Sequence, residues 1–463
     1  MLKKAIYGLI ALSSAVAAYI YWGSQDTDSY DDKGFLSLPI TVIAENNGFR
    51  HIKFINNREI NKFELTSHNR FNQHINEGKW DEQWVSETLT QKQEALKAVY
   101  LASQANQFDL EQTYTDESPN FIGLVDLSKL LLLQAQKFLR DGNIDAALEY
   151  YSASLKYGYL LKTEAGSTLI SYAIGQKIEQ ITLFRMSRLI IEEPLSIEQL
   201  KSILTLLKKI SKNKHKDFSH TLHGEFIYTA NQLEKPSKQT LATRWEQYKL
   251  YNYNQLTFLN ENDSDTALAS KLFDLLFALF PRFYLHTNTE LSFFAGRLIK
   301  QKHKILAGCS KLVAKQESEQ VPLSWLDLIR SNSAGLELRN ETMHNTFSQQ
   351  QLSHCFHQLH VQASKISVAN KLFEKEYKKK LSQLTELSPY LDAVDLQDPF
   401  AKQAQLLGLE NGFITSVGLN GASNPSEHGS LYQQSCAYQE SCFNEPRFLL
   451  SDFDENLGIP PKI

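Results

Sequence analysis

Proline is nearly absent from most of this chain, and its scarcity constrains the fold more than any other feature. Only five prolines lie between residues 40 and 388, whereas the last 75 residues contain six. Proline removes a backbone donor and clashes with the preceding helical turn, so proline-poor stretches permit long helices. Glycine is also scarce, at 20 of 463 residues, which argues against the many tight turns of a β-sandwich or barrel. The sequence therefore predicts a mainly α-helical protein with a small loop-and-strand tail over residues 388–463.

Apolar residues recur at helical spacing through the proline-poor region. This periodicity predicts amphipathic helices that pack on one another, as an irregular α-solenoid or array of helical hairpins over residues 35–387 that could divide near residue 213. Three such series are Leu127, Leu130, Leu131, Ala135 and Phe138; Ile170, Ile174, Ile178 and Ile181; and Ile197, Leu200, Leu204, Leu207 and Ile210.

The clearest series is a heptad seam towards the end of the helical region. It predicts one long helix that lies along a partner helix. The seam lasts barely four heptads and includes an alanine and an asparagine, so a partner within the same chain is favoured over a dimeric coiled coil. Its members are Leu352, Phe356, Leu359, Ala363, Ile366, Asn370, Phe373 and Tyr377.

The N-terminal segment has the charge pattern of a membrane anchor. Lys3 and Lys4 precede an uncharged stretch of eighteen residues, 5–22, and an acidic run follows it. As a helix the stretch is about 27 Å long, close to the ~30 Å hydrocarbon core of a bilayer. This predicts a transmembrane helix over residues 1–22 and an acidic linker over 23–34. The alternative is a cleavable signal peptide, because Ala15-Val16-Ala17 has the small-x-small form of a cleavage site.

The order of charges around this segment predicts its orientation. Lysines before a span and aspartates after it place the short N-terminus in the cytoplasm. We therefore expect a single-pass protein of the inner membrane, with the bulk of the chain in the periplasm and the membrane itself as one partner.

The overall charge and the absence of known catalytic motifs limit the partners and activities that we expect. The chain has 48 basic and 52 acidic side chains and a formal net charge of −4, so a nucleic-acid binder driven by bulk positive charge is excluded. Neither a phosphate-binding Gly-x-x-x-x-Gly-Lys-Ser/Thr loop nor a Gly-x-Ser-x-Gly elbow is present. No cofactor, no nucleic-acid partner and no catalytic residue is therefore predicted, and a protein partner is expected.

Two histidine clusters are the weak candidates for a metal site. His354, His357 and His360 share one helix with Cys355, but they fan across about 120° of its circumference, because successive residues are 100° apart. Zinc needs three or four convergent ligands, so a solvated or partner-facing histidine face is the favoured interpretation. His220 and His223 lack the His-Glu-x-x-His order of a metalloprotease and are interpreted as part of a basic surface loop.

The four cysteines permit three pairings. Cys436 and Cys442 are close in sequence and form the favoured disulfide in an oxidising compartment. Cys309 and Cys355 then remain, each within helical sequence, either as a second bridge or as two buried thiols. The phase of the heptad seam predicts that Cys355 is buried.

Three parts of the chain resemble known protein families. The segment from Leu131 to Tyr159, with its Gly142-Asn143-Ile144-Asp145 turn, resembles a tetratricopeptide hairpin. The order of anchor, hairpin and the sequence Ala165-Gly166-Ser167 resembles a group of uncharacterised membrane-anchored, mostly helical exported proteins of Gram-negative bacteria, and implies architecture only. Asp398-Pro399-Phe400 and the run from Gly412 to Gly421 resemble a short C-terminal element of type II secretion pseudopilins, and Phe413 to Val417 is a predicted strand.

The leading functional hypothesis is a membrane-tethered periplasmic protein that binds partners or acts as a scaffold, since helical-hairpin arrays present extended surfaces. The alternative is an exported enzyme, such as a hydrolase, whose site is assembled only in the fold.

Overall fold

A computed structural model of the chain confirms that the fold is mainly α-helical. It describes residues 2–27, 29–34, 47–58, 70–71, 73–74, 79–108, 121–163, 168–211, 221–231, 286–306, 308–311, 344–401, 404–410, 413–416, 429–430 and 446–449. Its longer helices are α1 (Leu2–Gly23), α2 (Phe49–Arg58), α3 (Glu82–Gln91), α4 (Gln93–Gln104), α5 (Phe121–Arg140), α6 (Ile144–Thr163), α7 (Leu169–Glu192), α8 (Ile197–Ser211), α9 (Thr287–Leu306) and α10 (His344–Tyr377).

The chain forms two compact units. The smaller unit comprises residues 1–39, 226–301 and 315–349, and the larger unit comprises residues 40–225, 302–314 and 350–463. In the larger unit, apolar side chains of α2 to α8, of α10 and of the C-terminal tail join in one buried core. Burial of this continuous apolar surface is the main favourable contribution to its folding.

Helices α3 to α8 pack in the order in which they occur in the chain. The closest contacts join neighbouring helices, such as α5 and α6, or helices one further apart, such as α4 and α6 or α6 and α8. The connections between α5 and α6 and between α6 and α7 are short, and a helix that follows a tight turn returns along its predecessor.

The turn between α5 and α6 is the one that the sequence predicts. Gly142 has φ of 78°, in the left-handed region that glycine adopts without strain. The Gly142 and Asn143 N–H groups donate to carbonyl oxygens in the last turn of α5, and the Asn143 side chain accepts the Ala146 N–H. Asn143 thus caps α6 while Gly142 ends α5.

The junction between α7 and α8 contains a proline and a capping serine. α7 ends at Glu192, two residues before Pro194, and Ser196 precedes α8. The Ser196 hydroxyl accepts the Gln199 N–H at 3.1 Å, and the Gln199 side-chain oxygen accepts the Ser196 N–H at 2.8 Å. This reciprocal capping satisfies two donors that the first turn of a helix leaves free.

Helix α10 is the long helix that the heptad seam predicts, and its partners lie within the chain. It has 34 residues, or about 51 Å at the rise of an α-helix. Side chains around its whole circumference are buried in the central part, not only those of the seam. Tyr377, the last seam residue, is exposed, and α10 ends there because Lys378 adopts φ of 55°.

The C-terminal tail contains two 3-10 turns, Leu384–Leu387 and Ala393–Leu396, and a four-stranded sheet. Its buried side chains belong to the same core as those of α10. Its strands are β1 (Gly408–Glu410), β2 (Phe413–Thr415), β3 (Gly429–Ser430) and β4 (Pro446–Leu449), in the order β1-β2-β4-β3 with only the β3–β4 pair parallel. β2 confirms the predicted strand for its described residues.

Two of the residues that carry the pseudopilin-like pattern meet in this tail. One carboxylate oxygen of Asp398 accepts the Phe400 N–H at 2.9 Å and the Ser416 hydroxyl at 2.8 Å. The Phe400 ring packs on Phe356 of α10, with centroids 4.9 Å apart. The tail is therefore joined to α10 by both polar and aromatic contacts.

The predicted membrane span is not supported. Within the described residues, no helix has both the length and the apolar character needed to cross a bilayer. Residues 11–23, the part of α1 whose side chains are described, extend about 20 Å and include Ser13, Ser14, Tyr19 and Tyr21. The prediction of a single-pass inner-membrane protein with its bulk in the periplasm is therefore wrong.

Two glycines let α6 and α7 approach closely. A Cβ atom built on Gly175 would lie 2.5 Å from the Gly158 carbonyl oxygen and 2.7 Å from Lys162 Cγ, and one built on Gly158 would lie 2.9 Å from Glu179 Cγ. The close crossing thus brings the Lys162 and Glu179 side chains together.

Replacement of Gly175 by alanine should destabilise the protein by about 1–3 kcal/mol, because the backbone of α6 has to move. Gly296 on α9 is the matched control, since a Cβ atom built there meets no atom of the described residues within 4 Å. Gly296→Ala should be neutral or stabilising by up to ~1 kcal/mol, as alanine is the better helix former. Urea unfolding followed by circular dichroism measures both, and equal effects at the two positions would contradict this packing.

Candidate functional site

The most unusual feature of the larger unit is a cluster of charged side chains enclosed between α6, α7 and α10. We call Lys162, Glu179 and His357 the charge cluster. The Lys162 ammonium and the His357 Nε2 atom each lie 2.5 Å from the same Glu179 oxygen, Oε2, and 3.3 Å from each other. Glu179 is 0% exposed, Lys162 6% and His357 5%. Charged residues are almost never buried to this degree unless they are paired.

Polar contacts on the same helices align α10 with α7. The Tyr172 hydroxyl on α7 is 2.5 Å from His354 Nδ1, and the Ser353 hydroxyl donates to the Gln176 side-chain oxygen at 3.1 Å. Tyr172, Gln176 and Glu179 lie about one helical turn apart on one face of α7. They contact His354, Ser353 and His357 of α10, respectively. The register of α10 is thus fixed by three polar contacts.

The start of α7 is held by two further groups. Thr168 caps the helix in a reciprocal pair with Ser171, and Glu225 Oε2 accepts the Leu169 N–H at 2.9 Å. Burial raises the pKa of Glu225, although the hydrogen bond from Leu169 partly offsets this effect. A carboxyl group at a helix N-terminus also complements the helix dipole.

The charge cluster keeps Glu179 ionised. Burial alone would raise the pKa of this carboxyl, but Lys162 and His357 outweigh it by charge and hydrogen bonding, so the pKa is lowered. Lys162 and His357 both contact the Oε2 atom of this carboxylate.

The arrangement can carry charge and protons, but it is closed. A carboxylate, an ammonium and an imidazole within hydrogen-bonding distance are the groups of general acid–base chemistry. A substrate would reach them only if α10 moved away from α6 and α7, because these helices cover all three side chains. The geometry therefore favours a role in fixing α10.

The structure corrects the favoured interpretation of the first histidine cluster. His354 and His357 are buried against α6 and α7, not solvated, because Tyr172 and Glu179 provide their polar partners. His360 is partly buried, and burial, aided by the nearby His357, lowers its pKa to about 3. In the part of the chain that the structure describes, no three His, Cys, Asp or Glu side chains are grouped so as to hold a metal ion.

The second cluster does not form a basic surface loop at its described member. His223 is buried on a helix at residues 221–231. His220 lies outside the described residues. The same helix borders the charge cluster, since the Thr221 hydroxyl donates to the Lys162 carbonyl oxygen at 3.4 Å.

The structure describes one of the two candidate cysteine pairs. Cys309 and Cys355 form a disulfide with a Cα–Cα distance of 5.7 Å, and both side chains are buried, as predicted for Cys355. Cys436 and Cys442 lie outside the described residues. The observed bridge joins residues 46 positions apart, which corresponds to about 4 kcal/mol of stabilisation in the chain-entropy treatment.

Sequence analysis missed Lys162, Glu179 and Tyr172. A charged residue on an amphipathic helix is normally assigned to the solvent face, and the partners of Glu179 lie on other helices. One signal was available: isolated glycines within helical sequence, here Gly158 and Gly175, indicate a close packing contact.

A second feature lies on the surface of the helical array. Tyr100 on α4, Phe138 on α5 and Tyr150 on α6 are half-buried, and we call them the aromatic strip. The Tyr150 ring centroid is 5.3 Å from Tyr100 and 5.5 Å from Phe138. The Tyr100 hydroxyl donates to the exposed Glu149 carboxylate, and this hydrogen bond is the main cause that raises the pKa of Tyr100 to about 12.

Comparison of the chain with protein-family models, curated proteins and solved structures gave no match.

Breaking the charge cluster should be costly. Lys162→Met removes the ammonium and leaves a buried carboxylate with one partner, so we expect a loss of about 3–5 kcal/mol in the free energy of unfolding. The control is Lys201→Met, which removes a surface pair with Glu376 at 3.2 Å and should cost no more than about 1 kcal/mol. Urea unfolding distinguishes the two, and equal losses would show that the cluster is not buried.

His360 should make stability depend on pH. Its folded pKa of about 3 lies below the ordinary value of 6.5, so only the unfolded chain binds a proton between these limits. The contribution of His360 to the free energy of unfolding is therefore complete above pH 6.5. It is lost as the pH falls towards 3, at up to about 1.4 kcal/mol per pH unit. His360→Gln should flatten the pH profile of the free energy of unfolding in this window. His51→Gln, on the exposed side of α2, is the control, and an unchanged slope in His360→Gln would contradict the assignment.

Proposed function

We propose that the chain is a scaffold protein that binds another protein through its helical array, and that α3 to α8 form an irregular α-solenoid. The observation that carries this proposal is the packing order of the helices, in which α3 to α8 contact neighbours one or two positions along the chain. Arrays of this kind expose a long surface built from successive helices, and their known use is the binding of extended partners.

The α5–α6 hairpin supports the solenoid part of the proposal. Its two helices have 20 residues each, and the Gly142 turn joins them. This is the segment that resembles a tetratricopeptide hairpin, a unit that buries its apolar face only by stacking on neighbours. α4 and α7 supply those neighbours here.

The aromatic strip is the surface that we assign to the partner. It crosses α4, α5 and α6, so a segment bound there contacts three successive helices at once. Tyrosine is enriched among the residues that dominate binding energy, because its ring buries a large area while its hydroxyl remains hydrogen-bonded. Glu149 places a carboxylate beside the strip. A protein segment with an apolar side chain and an adjacent basic one fits this chemistry.

The closed charge cluster favours this proposal over an enzyme. The fold does assemble a constellation of Glu179, Lys162 and His357 from distant parts of the chain, as the enzyme hypothesis requires. Their burial leaves no approach for a substrate while α10 is in place, whereas the aromatic strip is accessible.

The test combines crosslinking in native cells with variants of the strip. Protein bound to the full-length chain is identified by mass spectrometry, purified and titrated against each variant. Tyr100→Ser with Tyr150→Ser should weaken binding at least about tenfold, the effect of losing 1.4 kcal/mol of contact energy.

Ser202→Ala with Lys209→Ala, at exposed positions of α8, provides the matched control and should leave the affinity unchanged. Recovery of the native chain without a reproducible partner would contradict the proposal. Equal binding by the two double variants would contradict the assignment of the surface.

A further inference from the structure

Helix α1 of the smaller unit exposes apolar side chains that a folded protein normally covers. Every side chain from Ala11 to Ala17 is exposed, and Leu12, Val16 and Tyr19 are 66%, 50% and 51% exposed. These three residues are spaced by four and three positions, which places them on one face of the helix. Contiguous exposed apolar surface of this kind marks a site of interaction.

A shallow groove runs beside this face. It has a volume of about 780 Å³ and is lined by residues of α1 and the turn after it, including Leu12, Val16 and Ile20. Apolar side chains of a second helix laid along α1 could enter it, as ridges enter grooves where helices pack.

The end of α1 is firmly attached within its unit. The Asp26 carboxylate accepts the backbone N–H groups of Asn288 and Thr289, at 2.6 and 3.0 Å, and caps α9. His286 Nε2 donates to the Gly23 carbonyl oxygen at 2.7 Å. The helix is therefore presented in a fixed direction and does not have to be ordered when a partner binds.

The charges at the two ends of α1 are opposite. Lys3 and Lys4 lie in its first turn, and no charged residue follows until Asp26. The segment after the helix is acidic, with Asp31 and Asp32 followed by one lysine, Lys33, which pairs with Asp31. A helix of 22 residues separates these ends by about 33 Å. A second α1 laid antiparallel brings the basic first turn of each copy towards the acidic segment that follows the helix of the other copy, with only uncharged residues between. A parallel arrangement places like charges together.

We propose that α1 pairs antiparallel with α1 of a second copy of this chain, through the face of Leu12, Val16 and Tyr19. Such a dimer has two-fold symmetry, so each end makes the same contact between lysines and aspartates. This surface belongs to the smaller unit and is independent of the aromatic strip, so the inference goes beyond the proposed function.

Sedimentation velocity of the full-length chain without detergent, across the micromolar range, tests the proposal. The native chain should dimerise with rising concentration. Leu12→Asp with Val16→Asp should raise the dissociation constant at least about tenfold, since it buries charge in the interface. Ser14→Asp is the matched control, because Ser14 is equally exposed but lies on the opposite face of α1, and it should leave the dissociation constant unchanged.

Charge reversal tests the antiparallel direction. Lys3→Glu with Lys4→Glu, and separately Asp31→Lys with Asp32→Lys, should each weaken self-association. An equimolar mixture of these two variants should restore it, because opposite charges then meet at both ends. A mixture that remains monomeric would overturn the antiparallel arrangement.

Flotation with phosphatidylcholine vesicles separates this proposal from a lipid-binding role for α1. A native chain that stays monomeric and floats with vesicles, and that loses flotation in Leu12→Asp with Val16→Asp, would overturn the proposal. So would a dimer whose dissociation constant is the same in that variant and in Ser14→Asp.

Discussion

Glu179 carries its negative charge where water does not reach, and the position of α10 depends on how that charge is satisfied. Removal of an ion from water costs several kcal/mol, and only close partners of opposite charge offset this cost. Lys162 on α6 and His357 on α10 both bind the same carboxylate oxygen. They can do so only because Gly158 and Gly175 let α6 and α7 cross closely. The cluster thus couples the helix crossing to the placement of α10.

The rest of the larger unit is built outwards from α10. On one side it meets α6 and α7 through the charge cluster. On the other, Lys365 forms an ion pair with Asp395, and the Gln362 amide donates to the Val394 and Gln397 carbonyl oxygens at 3.1 and 3.3 Å. Polar groups inside an apolar core admit few alternative registers, because any shift leaves them unpaired. We infer that these contacts select one position for a helix whose heptad pattern alone would tolerate several.

Local sequence signals predicted local structure well. The proline distribution predicted the helical class and the different tail, Gly142 marked its turn, and the heptad spacing identified α10. Each of these features depends on residues that lie within one or two turns of each other. Their physical causes, such as a left-handed glycine or a serine accepting an N–H group, can therefore be identified from a few neighbouring residues.

The charge cluster could not be predicted in the same way, because its members meet only in the fold. The isoleucine series of α7 wrongly implied that Ile170 is inside, yet Ile170 is 52% exposed while Gln176 and Glu179 are buried. Apolar periodicity assigns polar residues to solvent, and it fails where a polar residue has a partner on another helix. The histidines of α10 were expected to face solvent or a partner for the same reason, whereas His354 and His357 are buried against helices of the same chain. The uncharged stretch of α1 was interpreted as a membrane span because the absence of charge was given more weight than its serines and tyrosines.

Hydrogen–deuterium exchange, read by mass spectrometry on the full-length native chain, tests the central claim that α10 is an interior helix most directly. Exchange from a buried helix requires unfolding of the surrounding structure, whereas exposed helices open locally. The account predicts that peptides covering residues 354–373 exchange as slowly as those of α6 and α7, and far more slowly than those of α3, whose outer face is exposed. Exchange of residues 354–373 at the rate of α3 would contradict it.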